Sequence, residues 1–261
     1  MKSKTALITG ASSGIGKELA RIHAEKKGDL ILVARREDKL NELKAELESA
    51  HQIKVNIISK DLAQPNAGQE IYDEVRNQDL TVDYLINNAG FGGQGLFHER
   101  KWEDDHAMIQ LNIVTLSHLC RLFLPDMVAR NSGKILNVSS TASLAIGGPL
   151  QSVYFATKHF VTSFSYGLAG ELHDTKVTVT ALLPGATETE FAATSGTDKT
   201  KLFAQATTAR SVAQDGYDAM LAGKLDVVSG LTFSQKLMLA SVPFAPKKVL
   251  LSEVRKLQET S

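Results

Sequence analysis

Cysteine is nearly absent from this chain. Cys120 is the single one in 261 residues, so no intramolecular disulfide can form, and its apolar helical surroundings read as those of a buried structural thiol rather than a nucleophile. Net charge is missing too: 29 lysines and arginines balance 29 aspartates and glutamates, which removes the electrostatic case for nucleic acid or an anionic membrane as partner. The seven histidines pair neither with each other nor with acids at metal-ligand spacing, so no metal is expected. No apolar run reaches the length of a membrane span. Met1-Lys2-Ser3-Lys4 leads straight into a strand, which leaves no room for a signal peptide, and a cytoplasmic protein is expected.

What is present is a regular alternation of short apolar runs and helical patterns, without repeats or low-complexity linkers. Strands are predicted at 5–9, 29–34, 55–59, 82–86, 134–139, 176–183 and 226–230. Helices are predicted after residue 16, at 37–49 and near 66–78. A long one runs from Trp102 to Arg130, another passes through Tyr154 to about Asp174, and a last one spans Ser211 to Ala222 with Ser211 as cap. That order predicts an α/β fold, a doubly wound parallel sheet of seven strands with helices on both faces, as one domain over 1–261. The segment 192–209 is small and polar and reads as a substrate lid. Residues 231–261 form a mostly helical extension interrupted at Pro243 and Pro246. Val249, Leu250, Val254 and Leu257 share a face of its last helix, which suits packing on its own domain or a sister subunit better than a membrane.

The strand ends carry the chemistry. Thr5–Thr9 is followed at once by Gly10-Ala11-Ser12-Ser13-Gly14-Ile15-Gly16 and then a helix, the strand–turn–helix order in which glycines bring backbone N–H groups up to a pyrophosphate. The second strand ends in Ala34-Arg35-Arg36. An acid there would hold ribose hydroxyls, whereas arginines suit a 2′-phosphate, so NADP(H) is favoured over NAD(H). Asp61 and Leu62, after the third strand, are placed to border the adenine. Asn87-Asn88-Ala89-Gly90 after the fourth reads as a ligand surface rather than a plain loop. Glu103, Asp104 and Asp105 open the long helix, where its dipole alone explains them. Asn112 sits mid-helix among apolar neighbours, either bracing backbone or feeding a chain of waters. Ser139 and Ser140 stand at the end of the fifth strand. Tyr154 and Lys158, four residues apart, rise from one helical face, where an ammonium favours ionisation of a phenol.

Taken in order, these residues resemble the short-chain dehydrogenase/reductase family over roughly residues 4 to 191. The glycine turn, the Asn87-Asn88-Ala89-Gly90 run, Asn112, Ser140, the Tyr154 and Lys158 pair and the Pro184-Gly185 loop with Thr189 carry the likeness. The resemblance implies a Rossmann-type fold in which Tyr154 is the general acid/base and Lys158 lowers its pKa and holds the nicotinamide ribose. Ser140 would bind the substrate oxygen, and Asn112 would position a water in a proton relay. Gly10, Ser12, Ser13, Gly14, Ile15, Gly16, Asn88, Ala89 and Gly90 would line the cofactor, with Pro184, Gly185, Thr187 and Thr189 at the nicotinamide carboxamide. Ser13 stands where NADP-using members often have a basic residue, which leaves Arg35 and Arg36 for the 2′-phosphate. The expected activity is hydride transfer between NADP(H) and a small carbonyl or secondary alcohol, in the reductive direction, by a homodimer or homotetramer. The alternative is a catalytically silent NADP-binding regulator on the same fold. Phe91, Leu150, Gln151 and Phe191 are the candidate pocket lining.

Overall fold

Leu7 and Ile8 point to opposite sides of their strand, yet both are fully buried, so β1 (Thr5–Thr9) must be covered on both faces. It lies between β2 (Asp29–Ala34) and β4 (Tyr84–Asn87) in a parallel sheet of seven strands. Beyond β2 comes β3 (Val55–Ser59); beyond β4 come β5 (Gly133–Val138), β6 (Val177–Pro184) and β9 (Asp226–Ser229). The order β3-β2-β1-β4-β5-β6-β9 reverses direction between β1 and β4, and a crevice opens there at the C-terminal strand ends. The computed structural model describes residues 3–196, 206–232 and 245–259, with positions 235, 237, 239 and 242 between them.

Among the described residues, three helices pack on each face. Ile8, Leu30 and Leu32 pack against Leu19, Leu40 and Val212 of α1 (Gly14–Glu25), α2 (Glu37–His51) and α8 (Ala209–Leu221). Leu7, Ile31 and Val33 pack against Ile71, Leu119, Phe123 and Val161 of α3 (Ala67–Asn77), α5 (Leu116–Ala129) and α6 (Ser152–Glu171). His23 pins α1 to α8: its Nδ1 lies 2.8 Å from the Tyr217 hydroxyl, its Nε2 lies 2.9 Å from the Lys4 carbonyl, and burial holds its pKa below the ordinary value. Burial likewise pushes the Cys120 thiol up to about 12, which leaves it inert as a nucleophile.

Several expectations are corrected. The fourth strand begins at Tyr84, not Val82, because Asp83 turns inward to accept from Thr5 N and Lys4. The long helix is α4 (Trp102–Ile109) joined to α5 through a π-turn at Gln110–Thr115, which holds Asn112. By length and composition Trp102–Ala129 is apolar enough to cross a membrane, contrary to the sequence reading. Its Leu119, Phe123 and Met127 are nevertheless buried against the sheet, as in any core helix. Asp105 is not merely a dipole residue: it is buried and paired with Arg100 at 2.9 Å. Thr208 rather than Ser211 caps α8, accepting from Ser211 N at 3.3 Å. It is held there by an unforeseen two-stranded pairing of β7 (Thr187–Glu188) with β8 (Thr207–Thr208). Of the expected lid, α7 (Glu190–Ser195) and β8 are seen, and 197–205 lie outside the described residues. Pro243 does too, while Pro246 caps α9 (Lys247–Gln258).

Candidate active site

Four loops meet at the crevice, and Thr9 ties two of them. Its Oγ1 accepts from Asn88 N and Ala89 N, both at 3.0 Å, and Asn88 Nδ2 donates back to the Thr9 carbonyl at 2.9 Å and the Gly10 carbonyl at 3.3 Å. Asn88 therefore braces the glycine turn. Gly10 has φ +67°, a backbone open to glycine at little cost. At Gly16 a Cβ would lie 2.3 Å from the Gly10 carbonyl oxygen, so only hydrogen fits. The turn delivers the start of α1, whose Ser13 makes no side-chain cap and whose first turn has no acid. Its leading N–H groups carry no side-chain cap of their own, and the carboxylate that reaches this end of the helix comes from Glu190, bonded to Ser13.

Arg36 crosses this turn. It donates to Ser12 Oγ at 3.1 Å and to both carboxylate oxygens of Glu190, at 2.8 and 3.2 Å. The guanidinium holds the Glu190 carboxyl below its ordinary pKa. Both partners are exposed, so the pair is worth about 0–1 kcal/mol. Glu190 carried no sequence signal, because its partner lies far away in the chain. Arg35 is exposed beside it. Asp61 Oδ1 accepts from Ala63 N at 3.0 Å, which closes the turn after β3, and buried Leu62 offers its carbonyl to Thr115 at 2.8 Å.

At the other strand ends, the two serines separate. Ser139 is buried, donating to the Lys158 carbonyl at 2.9 Å and lying 2.7 Å from Thr162 Oγ1, so it is spent on holding α6. Ser140 is the serine that reaches the Tyr154 hydroxyl. It also accepts from Ala142 N at 3.1 Å to start a 3₁₀ turn at Thr141–Leu144. Asn112 Nδ2 donates to the Phe91 carbonyl at 3.0 Å and to Thr157 Oγ1 at 3.1 Å, and its Oδ1 accepts from Phe91 N at 3.3 Å. Both amide hydrogens are used, holding the Phe91 backbone and Thr157. Gly90 lies between this side chain and the lysine, since a Cβ there would be 3.1 Å from Asn112 Oδ1 and 3.4 Å from Lys158 Nζ. Thr189 Oγ1 caps α7 through Phe191 N at 3.2 Å, and Thr187 Oγ1 bonds the Gly185 carbonyl at 2.9 Å, which folds the Pro184 loop over the same edge.

Tyr154 and Lys158 share a face as the spacing predicted, with the ammonium 5.8 Å from the phenol ring centre. The expected shift of the phenol is reversed. Burial pushes Tyr154 up to about 12, opposed by its bond to Ser140, and burial pulls Lys158 down to about 8. Desolvation outweighs the neighbouring charge because both groups are more than nine-tenths buried and Lys158 Nζ is turned to the Val138 carbonyl at 3.0 Å. Beyond Gly92, whose added Cβ would lie 3.3 Å from both Tyr154 Cδ2 and Ser195 Cβ, is an open depression of about 560 Å³ lined by Gln94, Gly95, Leu150, Ser195, Gly196 and Glu259. Leu150 holds φ +68° at its edge, a strained conformation for leucine that sets the entry into α6.

Residues 4–200 match the short chain dehydrogenase family. The chain belongs to that family. NADP-dependent 3-hydroxy acid dehydrogenases are among its relatives: one from Schizosaccharomyces pombe is 36% identical over 195 residues, covering 73% of this chain and 74% of the other. One from Escherichia coli K12, YdfG, is 37% identical over 182 residues, covering 69% and 71%. A solved short-chain dehydrogenase from Sphingobium yanoikuyae, in complex with NADPH, superposes with a TM-score of 0.83 at 30% identity over 99% of both chains. As a short-chain dehydrogenase, the protein is an NAD(P)-dependent oxidoreductase. The crevice suits a dinucleotide on its own terms: a hydrogen-only approach at Gly16, uncapped helix N–H groups and two exposed arginines lie within one connected surface.

Proposed function

We propose that this short-chain dehydrogenase reduces the carbonyl group of a small molecule with NADPH, the whole chain acting as one dinucleotide-binding unit. The observation that carries the reading is the meeting of the Ser140 and Tyr154 hydroxyls beside Lys158 at the strand ends. Gly10, Ser12, Ser13, Gly14, Ile15 and Gly16 would receive the pyrophosphate. Arg35 and Arg36 would receive the 2′-phosphate, Asp61 and Leu62 the adenine, and Ala89, Gly90 and the Pro184 to Thr189 loop the nicotinamide half. The bound dinucleotide supplies the hydride. As charge grows on the carbonyl oxygen, Ser140 donates a hydrogen bond to it and Tyr154 delivers the proton. Lys158 stabilises the phenolate left behind, and Asn112 keeps Phe91 and Thr157 in place around it.

Tyr154 at about 12 and Lys158 at about 8 define a pH window. Through pH 6 to about 8 the phenol is protonated and the lysine charged, so the rate of reduction is expected to be flat. Above about 8 Lys158 loses its proton and the rate should fall. A pH–rate profile with saturating NADPH checks this; a rise across pH 6 to 8 would indicate a different proton donor.

Cofactor titration tests the dinucleotide assignment. NADPH should bind more tightly than NADH, and Arg36→Ala should weaken NADPH binding about 10- to 100-fold, as for a lost charge-assisted phosphate contact, with little effect on NADH. Because Glu190 competes for the same guanidinium, Glu190→Gln should tighten NADPH binding. Equal affinity for the two cofactors, unaffected by Arg36→Ala, would reject the 2′-phosphate site.

A further inference from the structure

We propose that Thr162 is a positioning residue of this site: its hydroxyl ties the loop that carries Ser140 to helix α6 and so sets how Ser140 meets Tyr154. The proposal rests on the reductase reading above. Tyr154, Lys158 and Thr162 stand at i, i+4 and i+8 of α6 and form one stripe along it, all three buried. The first two serve the reaction, and the third faces the segment that follows β5. Thr162 Oγ1 donates to Ser143 Oγ at 2.8 Å, and Ser143 Oγ donates to the Ser140 carbonyl at 2.7 Å. On its other side Thr162 Oγ1 lies 2.7 Å from Ser139 Oγ, which donates to the Lys158 carbonyl at 2.9 Å.

Counting protons separates positioning from stability. From the Lys158 carbonyl to the Ser140 carbonyl the chain has four oxygen-to-oxygen contacts, and its three hydroxyls own three protons. A carbonyl supplies none, so one contact is always without a proton. The end carbonyls do not depend on the hydroxyls, because Ser143 N reaches the Ser140 carbonyl at 3.0 Å and the Lys158 carbonyl lies inside α6. A valine at 162, close in shape and in helix propensity, would leave two protons for the two remaining contacts and strand no donor. Stability should therefore change little. What valine loses is the tie. Ser139 would still hold the near end of the loop to α6, while the far end, at Ser143 in the 3₁₀ turn, would be released. Ala142 and Ala145 still pack on the cluster of Met108, Tyr154 and Phe155, so the loop stays folded and drifts by a fraction of an ångström. A shift near 1 Å in a positioned group costs about 10²-fold, and a fraction of it about tenfold.

Thr162→Val in the full-length protein should lower kcat for NADPH-dependent reduction about tenfold across a panel of ketones, aldehydes and oxo esters. KM and NADPH affinity should stay within about twofold, and the melting temperature within about 3 °C, of wild type. Thr162→Ser, which keeps the hydroxyl, should restore kcat, and Ser143→Ala should reproduce the loss. The deciding comparison uses Ser140→Ala: because Thr162 acts through Ser140, adding Thr162→Val to that variant should cost nothing further. A wild-type kcat in Thr162→Val would overturn the proposal and leave the reductase reading standing. So would a loss that Thr162→Ser does not restore, or one that persists in full on the Ser140→Ala background, since either marks Thr162 as structural. Wild-type protein that binds NADPH and reduces no member of the panel would reject the reductase reading, and this proposal with it.

Discussion

Tyr154→Phe is expected to lower NADPH-dependent carbonyl reduction by about 10²- to 10⁴-fold, the usual worth of a positioned general acid, while NADPH affinity hardly changes. The ring is retained, so its contacts with Phe191 at 5.5 Å and Phe155 at 6.2 Å persist. What disappears is the hydroxyl and its bond to Ser140. Because Ser140 keeps Ala142 N as a partner at 3.1 Å, the loop around it should hold and stability should shift little. Steady-state rates beside a fluorescence titration separate the two effects. A near wild-type rate would remove Tyr154 from the mechanism. Lost NADPH binding would instead indicate a structural role for the hydroxyl.

The parts of this molecule set by local pattern were legible in the sequence. β1, β2 and β3 lie where their apolar runs do, and β1 and β2, buried on both faces, need nearly continuous apolar sequence. The i, i+4 spacing placed Lys158 beside Tyr154 for the same geometric reason. Choices settled by distant partners were not legible. Ser139 and Ser140 are adjacent in sequence, and which of them faces the tyrosine depends on Thr162 and the Lys158 carbonyl capturing the first. The direction of the Tyr154 shift depends on how deeply the pair is buried, which spacing does not reveal. Glu190 reaches Arg36, and α9 reaches Tyr154, across long stretches of chain. The π-turn at Asn112 adds no residue type that a helical pattern lacks.

Gly16→Ala should do the reverse of Tyr154→Phe and weaken binding before chemistry is reached. The added Cβ would sit 2.3 Å from the Gly10 carbonyl oxygen and 2.4 Å from Asn88 Nδ2. Neither neighbour can yield alone, since Asn88 Nδ2 is bonded to the Thr9 and Gly10 carbonyls at 2.9 and 3.3 Å. The whole turn must move away from α1, and a shift near 1 Å in a positioned site costs about 10²-fold. NADPH affinity is therefore expected to fall by that order. Overpacking should also cost about 1–3 kcal/mol of stability, more than the roughly 1 kcal/mol that alanine gains over glycine inside a helix. Gly167, in α6, supplies the control, because a Cβ there meets nothing within 4 Å. Gly167→Ala should keep only the helical gain, raising stability by about 0.5–1 kcal/mol with NADPH binding intact. Urea unfolding and NADPH titration of the two variants side by side check both halves. Normal binding by Gly16→Ala would mean that the turn tolerates displacement and that the dinucleotide does not rest on it.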